Sequence, residues 1–347
     1  MKSDPLKEYR RKRDPGRTPE PVPPAPPEGP LPRGRDDTFI IQQHHARALH
    51  WDLRLERDGV LVSWAVPRGV PRDPNRNHLA VHTEDHPLEY ASFQGDIPAG
   101  EYGGGNVRLY DRGTYLTEKW RDDEVIVVFD GSRVRGRYAL FRTRRKQAGG
   151  APAGGTAQSR DDWMIHRMDP PEPGWTPMPE PVAPMRPVRV ARLPADDAAW
   201  GYEMAWDGRR TLGYVSGGRL VLRDADGADI TRSHVELRPL GDRLAPTEAV
   251  LDGVLAELGG ATMLLLSDVL WLDGQSTVDL PYRRRRELLE GLELAGPHWQ
   301  TPPYFAGSGR QARQTARDQG LPGVLAKRLD SRYQSQKPTR AWLFIPG

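Results

Sequence analysis

In the stretch LHWDLRLE, residues 49–56, apolar Leu49, Trp51, Leu53 and Leu55 alternate one for one with His50, Asp52 and Arg54. A period of two is the mark of an extended strand, because successive side chains project to opposite faces. The same alternation returns in VLVSWAV, NVRLYD, EVIVVFD, RVRGRYALFRT and WMIHRM, with Gly, Pro and Asp turns between the runs. Many short strands and few helical signals over residues 37–170 predict a closed or nearly closed β-barrel, which removes free sheet edges.

Proline-rich stretches frame this region. Residues 1–36 are charged, then run TPEPVPPAPPEGPLP, and hold too few apolar side chains for a core; they predict a mobile arm. KQAGGAPAGGTAQSRD predicts a floppy loop before WMIHRM, and residues 171–188 a proline-rich linker. Beyond it, residues 189–347 mix strands (LGYVSG, RLVLRD, AVLDGVLAEL, ATMLLLSDVLWLDG) with helical stretches (LPYRRRRELLEGLEL, GSGRQARQTARDQG). That mixture predicts an α+β second domain. At 347 residues, two cores of ordinary size are available.

No apolar run reaches membrane-spanning length and the first residues carry no signal-peptide pattern, so a soluble protein is expected. The absence of cysteine excludes disulfides, thiolate zinc sites and cysteine nucleophiles together. Any metal must be held by His, Asp, Glu or water. Formal net charge is only +3, yet the isoelectric point is about 9.1 and the runs YRRKRD, FRTRRK and YRRRRE recur. Local basic patches of this kind suit a polyanionic partner, although each run alone is as well explained by a solvated surface.

His50, Asp52 and Arg54 share one strand face, and His44 reaches them if the preceding strand bends or begins near Gln42. Two imidazoles and a carboxylate make a three-ligand set for a divalent cation, with positions left for water and substrate. LAVHTEDHPLEY adds His82, His86 and Tyr90, and six of the nine histidines fall within residues 44–86. A cation flanked by Arg54 and His86 suits a phosphate ester, the cation acting as Lewis acid while these two groups neutralise charge. A non-haem iron oxygenase uses a comparable ligand set and is the chemical competitor. A solvated strand face with incidental histidines is the bland reading; one histidine would favour it, and the cluster does not.

FIIQQHHARALHWDLRLE, SWAVPRG, LAVHTEDHPLEY and GDIPAGEYGGGNVRLYDRG together resemble the 3′-phosphoesterase domain of bacterial DNA ligase D, over roughly residues 8–169. The resemblance implies manganese, with other divalent ions admitted, on His44, His50 and Asp52. It implies phosphate contacts from Arg54, His86 and Tyr90, and a site role for Gln42. The family's arm pattern matches Arg13, Asp14, Thr18, Glu20 and Pro21, which implies that part of the arm folds over the site. Two departures are His78, where the family commonly carries arginine, and His166, where it tends to have lysine. The implied reaction is removal of a 3′-terminal ribonucleoside and then of the 3′-phosphate, leaving a 3′-OH, in end-joining repair. A purely DNA-end-binding or recruiting protein is the alternative from a different class.

WGYEMAWDGRR resembles the first motif of ATP-dependent DNA ligases, with Glu203, Asp207, Gly208 and Arg210 in register but Ala205 at the lysine that accepts AMP. A methyl group cannot attack phosphorus. Val254 stands where LDGVLAEL needs a carboxylate, Ser267 where an aromatic would stack on adenine, and Pro322 where GLPGVLAKR needs a glutamate, while Lys327 survives. Phe344 and Pro346 replace the lysines of the last motif. The implied second domain is a nucleotidyltransferase-like adenylation domain that does not use ATP, with no OB-fold expected after it. Arg209, Arg210 and Arg283–Arg286 fit contacts to a DNA backbone or, equally, a solvated face. The expected partners are DNA 3′ ends, with Ku, an active ligase or a polymerase as candidate docking proteins. The expected location is cytoplasmic and nucleoid-associated, without a membrane.

Overall fold

The computed structural model describes residues 4–24, 34–143 and 162–347. The proline-rich residues 25–33 and the glycine-rich stretch expected as a floppy loop lie outside the described residues. Two compact units divide the chain, residues 1–172 and 173–347.

The first unit is mainly β. A short helix α1 (Lys7–Arg11) precedes β1 (Thr38–His45), β2 (Leu49–Arg57), β3 (Val60–Val66) and β4 (His78–His82). After them come β5 (Gly95–Ile97), β6 (Gly105–Arg121), β7 (Glu124–Gly131), β8 (Arg135–Arg142) and β9 (Asp162–Arg167). The order β1-β2-β3-β4-β9-β8-β7-β6 closes because the 17-residue β6 pairs back onto β1, and β5 adds to β6. All neighbours are antiparallel, so the expected barrel is present and closed. Phe39, Ile41, Leu53 and Leu55, on one face of β1 and β2, are fully buried, each contributing about 2 kcal/mol of hydrophobic stabilisation. Gly105 is needed where β6 starts: at φ +147 a Cβ would lie 2.2 Å from the His45 carbonyl oxygen.

The mobile arm expected from composition does not describe residues 4–24. Tyr9 is fully buried in a cluster with Leu6, Ile40, Val60, Leu61 and Tyr90, and its hydroxyl donates to the Pro21 carbonyl. Arg13 and Glu20 form a buried ion pair at 2.9 Å. Aromatic packing and charge pairing hold a segment that its hydropathy alone would leave loose.

The second unit holds two sheets. One has the order β10 (Arg186–Arg189), β20 (Pro338–Pro346), β19 (Gly323–Arg328), β11 (Trp200–Ala205), β18 (Phe305–Ala306). The other runs β13 (Arg219–Asp224), β12 (Arg209–Ser216), β14 (Ala249–Leu258), β15 (Ala261–Leu272), β16 (Gln275–Ser276), with β17 (Trp299–Gln300) on β15. Helices α2 (Pro239–Leu244), α3 (Tyr282–Glu290) and α4 (Gly309–Asp318) complete it. The helical stretches expected at RRRRELLE and RQARQTARD are α3 and α4. Among the described residues no helix is long and apolar enough to cross a membrane.

One expectation about α3 fails. Arg283 and Arg284 are exposed, but Arg285 and Arg286 are buried in the core. Arg285 makes a two-pronged ion pair with fully buried Asp268, at 2.8 and 2.9 Å. Arg210 pairs in the same way with buried Asp252, and Arg209 pairs with Asp224. Arg210 and Arg285 balance interior carboxylates instead of facing a polyanion, whereas Arg209 keeps a largely exposed side chain. Removing one partner strands the other charge in the interior, so Asp268→Ala should destabilise this unit by roughly 3–5 kcal/mol. Arg284→Ala, exposed on the same helix, should shift stability by no more than about 0.5 kcal/mol; denaturant titration of the two variants checks the contrast.

Candidate metal centre

The antiparallel register of β1 and β2 sets His44 opposite His50 and Gln42 opposite Asp52. A bulge falls between Ile41 and Gln42 in the β1–β6 pairing, while the β1–β2 register runs unbroken, so cross-strand pairing alone brings His44 to His50. The two imidazole rings lie 4.7 Å apart. His44 Nδ1 is 3.5 Å from Asp52 Oδ2, and His50 Nε2 is 3.6 Å from Asp52 Oδ1. One ligand atom from each of the three lies within 4.8 Å of the others, the only such His/Asp/Glu group among the described residues.

Hydrogen bonding selects the tautomers. His44 Nε2 lies 2.8 Å from the Gly103 carbonyl oxygen, and His50 Nδ1 lies 3.0 Å from the Ala48 carbonyl oxygen. A carbonyl only accepts, so those nitrogens carry the protons and leave His44 Nδ1 and His50 Nε2 with lone pairs toward Asp52. Burial pushes the Asp52 carboxyl up, but Arg54, His44 and His50 together override it and hold the group below the usual carboxylate range. Two lone pairs and a carboxylate converging on one point repel one another unless a cation sits between them. The donor set therefore fits a divalent metal, and its N₂O composition suits the first transition series.

Arg54 is buried beside the triad. It donates to Gln42 Oε1 at 2.8 Å, Ser63 Oγ at 2.9 Å and Asp52 Oδ2 at 3.0 Å, and lies over the Tyr90 ring at 4.7 Å. Gln42 is itself fixed by donating to the Phe93 carbonyl. From the arm, Arg13 donates to Glu20 at 2.9 Å and Glu84 at 3.0 Å, and its Nη2 is 3.4 Å from His86 Nε2. His86 Nδ1 donates to the Glu84 carbonyl. Burial, then Arg54 and Arg13, push the His86 imidazole well below its ordinary value. Tyr90, buried and packed against His86 at 4.8 Å, is pushed up by burial.

The other expected residues stand elsewhere. Asp14 is exposed and accepts the Gly16 N–H in a turn, apart from the cluster. His82 packs between Trp64 and Trp163. His78 bonds the Gly69 carbonyl and His166 the Asn77 side chain. Glu84, Ser63 and Tyr9 join the site without having been singled out; Glu84 lies in the quoted TEDHPLEY, but nothing in the chain order signals that it pairs with an arginine 71 residues earlier.

In the second unit Ala205, Val254, Ser267 and Pro322 line one cavity of about 460 Å³. Lys327 is fully buried behind it, 2.7 Å from Glu203 Oε2 and 4.2 Å from the Trp342 ring centre. Burial pushes its ammonium down, and the Glu203 carboxylate opposes that shift.

Residues 42–142 match the family model for the DNA Ligase D 3′-phosphoesterase domain. Over 98% of its length the chain is similar, at 42% identity, to the Mycobacterium tuberculosis multifunctional non-homologous end joining DNA repair protein LigD. It is 33% identical over 96% of its length to the corresponding LigD protein of Pseudomonas aeruginosa. The chain spans 45% and 46% of the length of these two relatives. Among solved structures, a mycobacterial DNA ligase D complexed with ATP and MES aligns at 33% identity, covering 48% of this chain and 60% of that one, with a TM-score of 0.43.

Two outcomes follow from the geometry. His50→Ala should weaken Mn²⁺ binding at least tenfold, about 1.4 kcal/mol, in calorimetric titration, because only two of the three converging donors remain. Burial and the Glu84 carboxylate push half-buried Asp85 up to about 6. The folded state then holds more protons than the unfolded state between the ordinary carboxylate value and about 6, so stability should fall as pH rises through that window. Asp85→Asn should flatten this slope in urea titrations between pH 4 and about pH 7.

Proposed function

We propose that the first unit is a manganese-dependent phosphoesterase that trims DNA 3′ ends, removing a terminal ribonucleoside and then the 3′-phosphate to leave a 3′-OH. The observation that carries this reading is the convergence of His44 Nδ1, His50 Nε2 and an Asp52 oxygen within 4.8 Å, with Arg54 bonded to the same carboxylate. The similarity of residues 42–142 to the DNA Ligase D 3′-phosphoesterase domain supports it. A divalent cation held by His44, His50 and Asp52 would supply Lewis-acid chemistry and activation of water at the scissile phosphate.

The protein's own groups do the rest. A guanidinium has five N–H donors; Arg54 commits three to Gln42, Ser63 and Asp52, which leaves two for phosphate oxygens. That anchoring fixes the fork in place, so no side-chain freedom is lost when phosphate arrives. Arg13 brings a second cation next to His86, and Glu20 and Glu84 set its direction. His86 orients Arg13 through its Nε2, and Tyr90 supports Arg54 from the ring face. In the first step a water oxygen bonds to phosphorus, the P–O5′ bond to the terminal ribonucleoside breaks, and a proton passes from the water to the departing 5′ oxygen, leaving a 3′-phosphate. In the second a water oxygen bonds to that phosphorus, the P–O3′ bond breaks, and a proton passes to the 3′ oxygen.

The relatives bear the name of non-homologous end joining proteins, and the reading places this chain in double-strand break repair by that route. It also holds that the second unit does not adenylate itself, because Ala205, Val254 and Pro322 offer neither a nucleophile nor the carboxylates of metal–nucleotide chemistry. Its contribution would be to hold DNA or dock Ku, an active ligase or a polymerase.

A primer bearing either a 3′-phosphate or a terminal ribonucleoside, assayed with Mn²⁺ and with EDTA, tests the reading. Cleavage should need the metal, and Arg54→Ala should lower the rate by about 10²–10³. His50→Ala matching the wild type would end the enzyme reading. Incubation with labelled ATP should leave no AMP on the protein, and a labelled protein band would restore ligase chemistry to the second unit.

A further inference from the structure

The cavity of the second unit presents a contrast between its walls and one polar atom. Ala205, Val254, Leu265, Pro322 and Leu325 make much of its lining apolar. Arg286 also lines it, with its side chain only 1% exposed. Two of that guanidinium's nitrogens are engaged, Nε with Glu290 at 2.9 Å and Nη2 with the Pro302 carbonyl. Nη1 is buried and has no hydrogen-bond acceptor; its nearest carboxylate oxygen, on Glu203, is 3.6 Å away. A buried charged donor left without an acceptor is costly, and a cavity beside it is where an acceptor can come from.

The other charges narrow what that acceptor belongs to. Glu203 is taken up by Lys327 and by the Tyr282 hydroxyl. Arg210 is taken up by both oxygens of Asp252. Lys327 also donates to Ser267 Oγ, which draws the cavity's hydroxyl toward the interior. Arg286 Nη1 and Arg186 remain on the positive side, against Asp207 and against Glu203, which is already shared with Lys327. A chain of phosphates would bring several negative charges to a wall that can answer about one. A volume of about 460 Å³ is in the ordinary range for a small organic molecule.

We propose that this cavity binds a small apolar anion, a hydrophobic body with one carboxylate or sulfonate whose oxygen is received by Arg286 Nη1. The proposal rests on the reading that the second unit does not adenylate itself. Apolar surface enters the lining formed by Ala205, Val254 and Leu265, and the single negative charge completes the hydrogen bonding of the arginine.

The probe is 8-anilinonaphthalene-1-sulfonate, titrated into the full chain by fluorescence and calorimetry. The wild type should show one saturable site with a dissociation constant on the order of 10 µM. Val254→Asp adds a like charge of nearly the same volume to a half-buried wall position and should weaken binding at least tenfold; neutral Val254→Asn should stay within about threefold. If thermal melting shows Val254→Asp to be unfolded, Arg286→Gln is the second reading and should weaken binding at least fivefold. Equal binding by wild type and Val254→Asp when both are folded overturns the proposal, as does displacement of the dye by micromolar ATP. An absence of saturable dye binding with no AMP transfer from ATP sinks this proposal alone. AMP transfer sinks the reading beneath it and the proposal together.

Discussion

A buried carboxylate governs the first unit. Asp52 is 6% exposed and would be intolerable there without compensation. Arg54 supplies it, and Arg54 is then itself a buried cation that must be satisfied. Gln42, Ser63 and the face of Tyr90 do this, and Gln42 must in turn be anchored on the Phe93 carbonyl. Each requirement recruits the next, so β1, β2, β3 and the turn around Tyr90 are tied to one charge.

The arm extends the same logic. Arg13 crosses from the segment before the barrel to Glu84 beside His86, and stacks on Tyr9 at 3.8 Å. Lys12 joins through Glu84 and Tyr102. A polar, proline-rich sequence is thereby folded against the site by a few buried contacts. The second unit shows the converse: charges that look suited to a polyanion, Arg210 and Arg285, are consumed by interior partners.

Much of the first unit was legible in the chain order, for a physical reason. Strand periodicity alone assigns faces, so His50, Asp52 and Arg54 were bound to share one, and the alternating runs had to close or leave edges. His44 was harder, since its approach depends on the register in which β1 pairs with β2, and the residues themselves do not mark that register. Burial of charge was illegible. RRRR looks the same whether it meets water or Asp268, and Arg13 looks like any basic residue until Glu84 is folded beside it. Long-range pairing decides such cases, and one sequence does not display it.

The closure of β6 onto β1 has a consequence for how the first unit can be approached. The ring is not paired along the whole of each strand: β6 meets β1 only as far as Thr114 and meets β7 from Gly113 to Arg121, so residues 116–121 have a partner strand on one side. Strand addition, a common way for extended peptides to bind a sheet, therefore meets short overhangs such as this one and the outer side of the three-residue β5 in place of one long continuous edge.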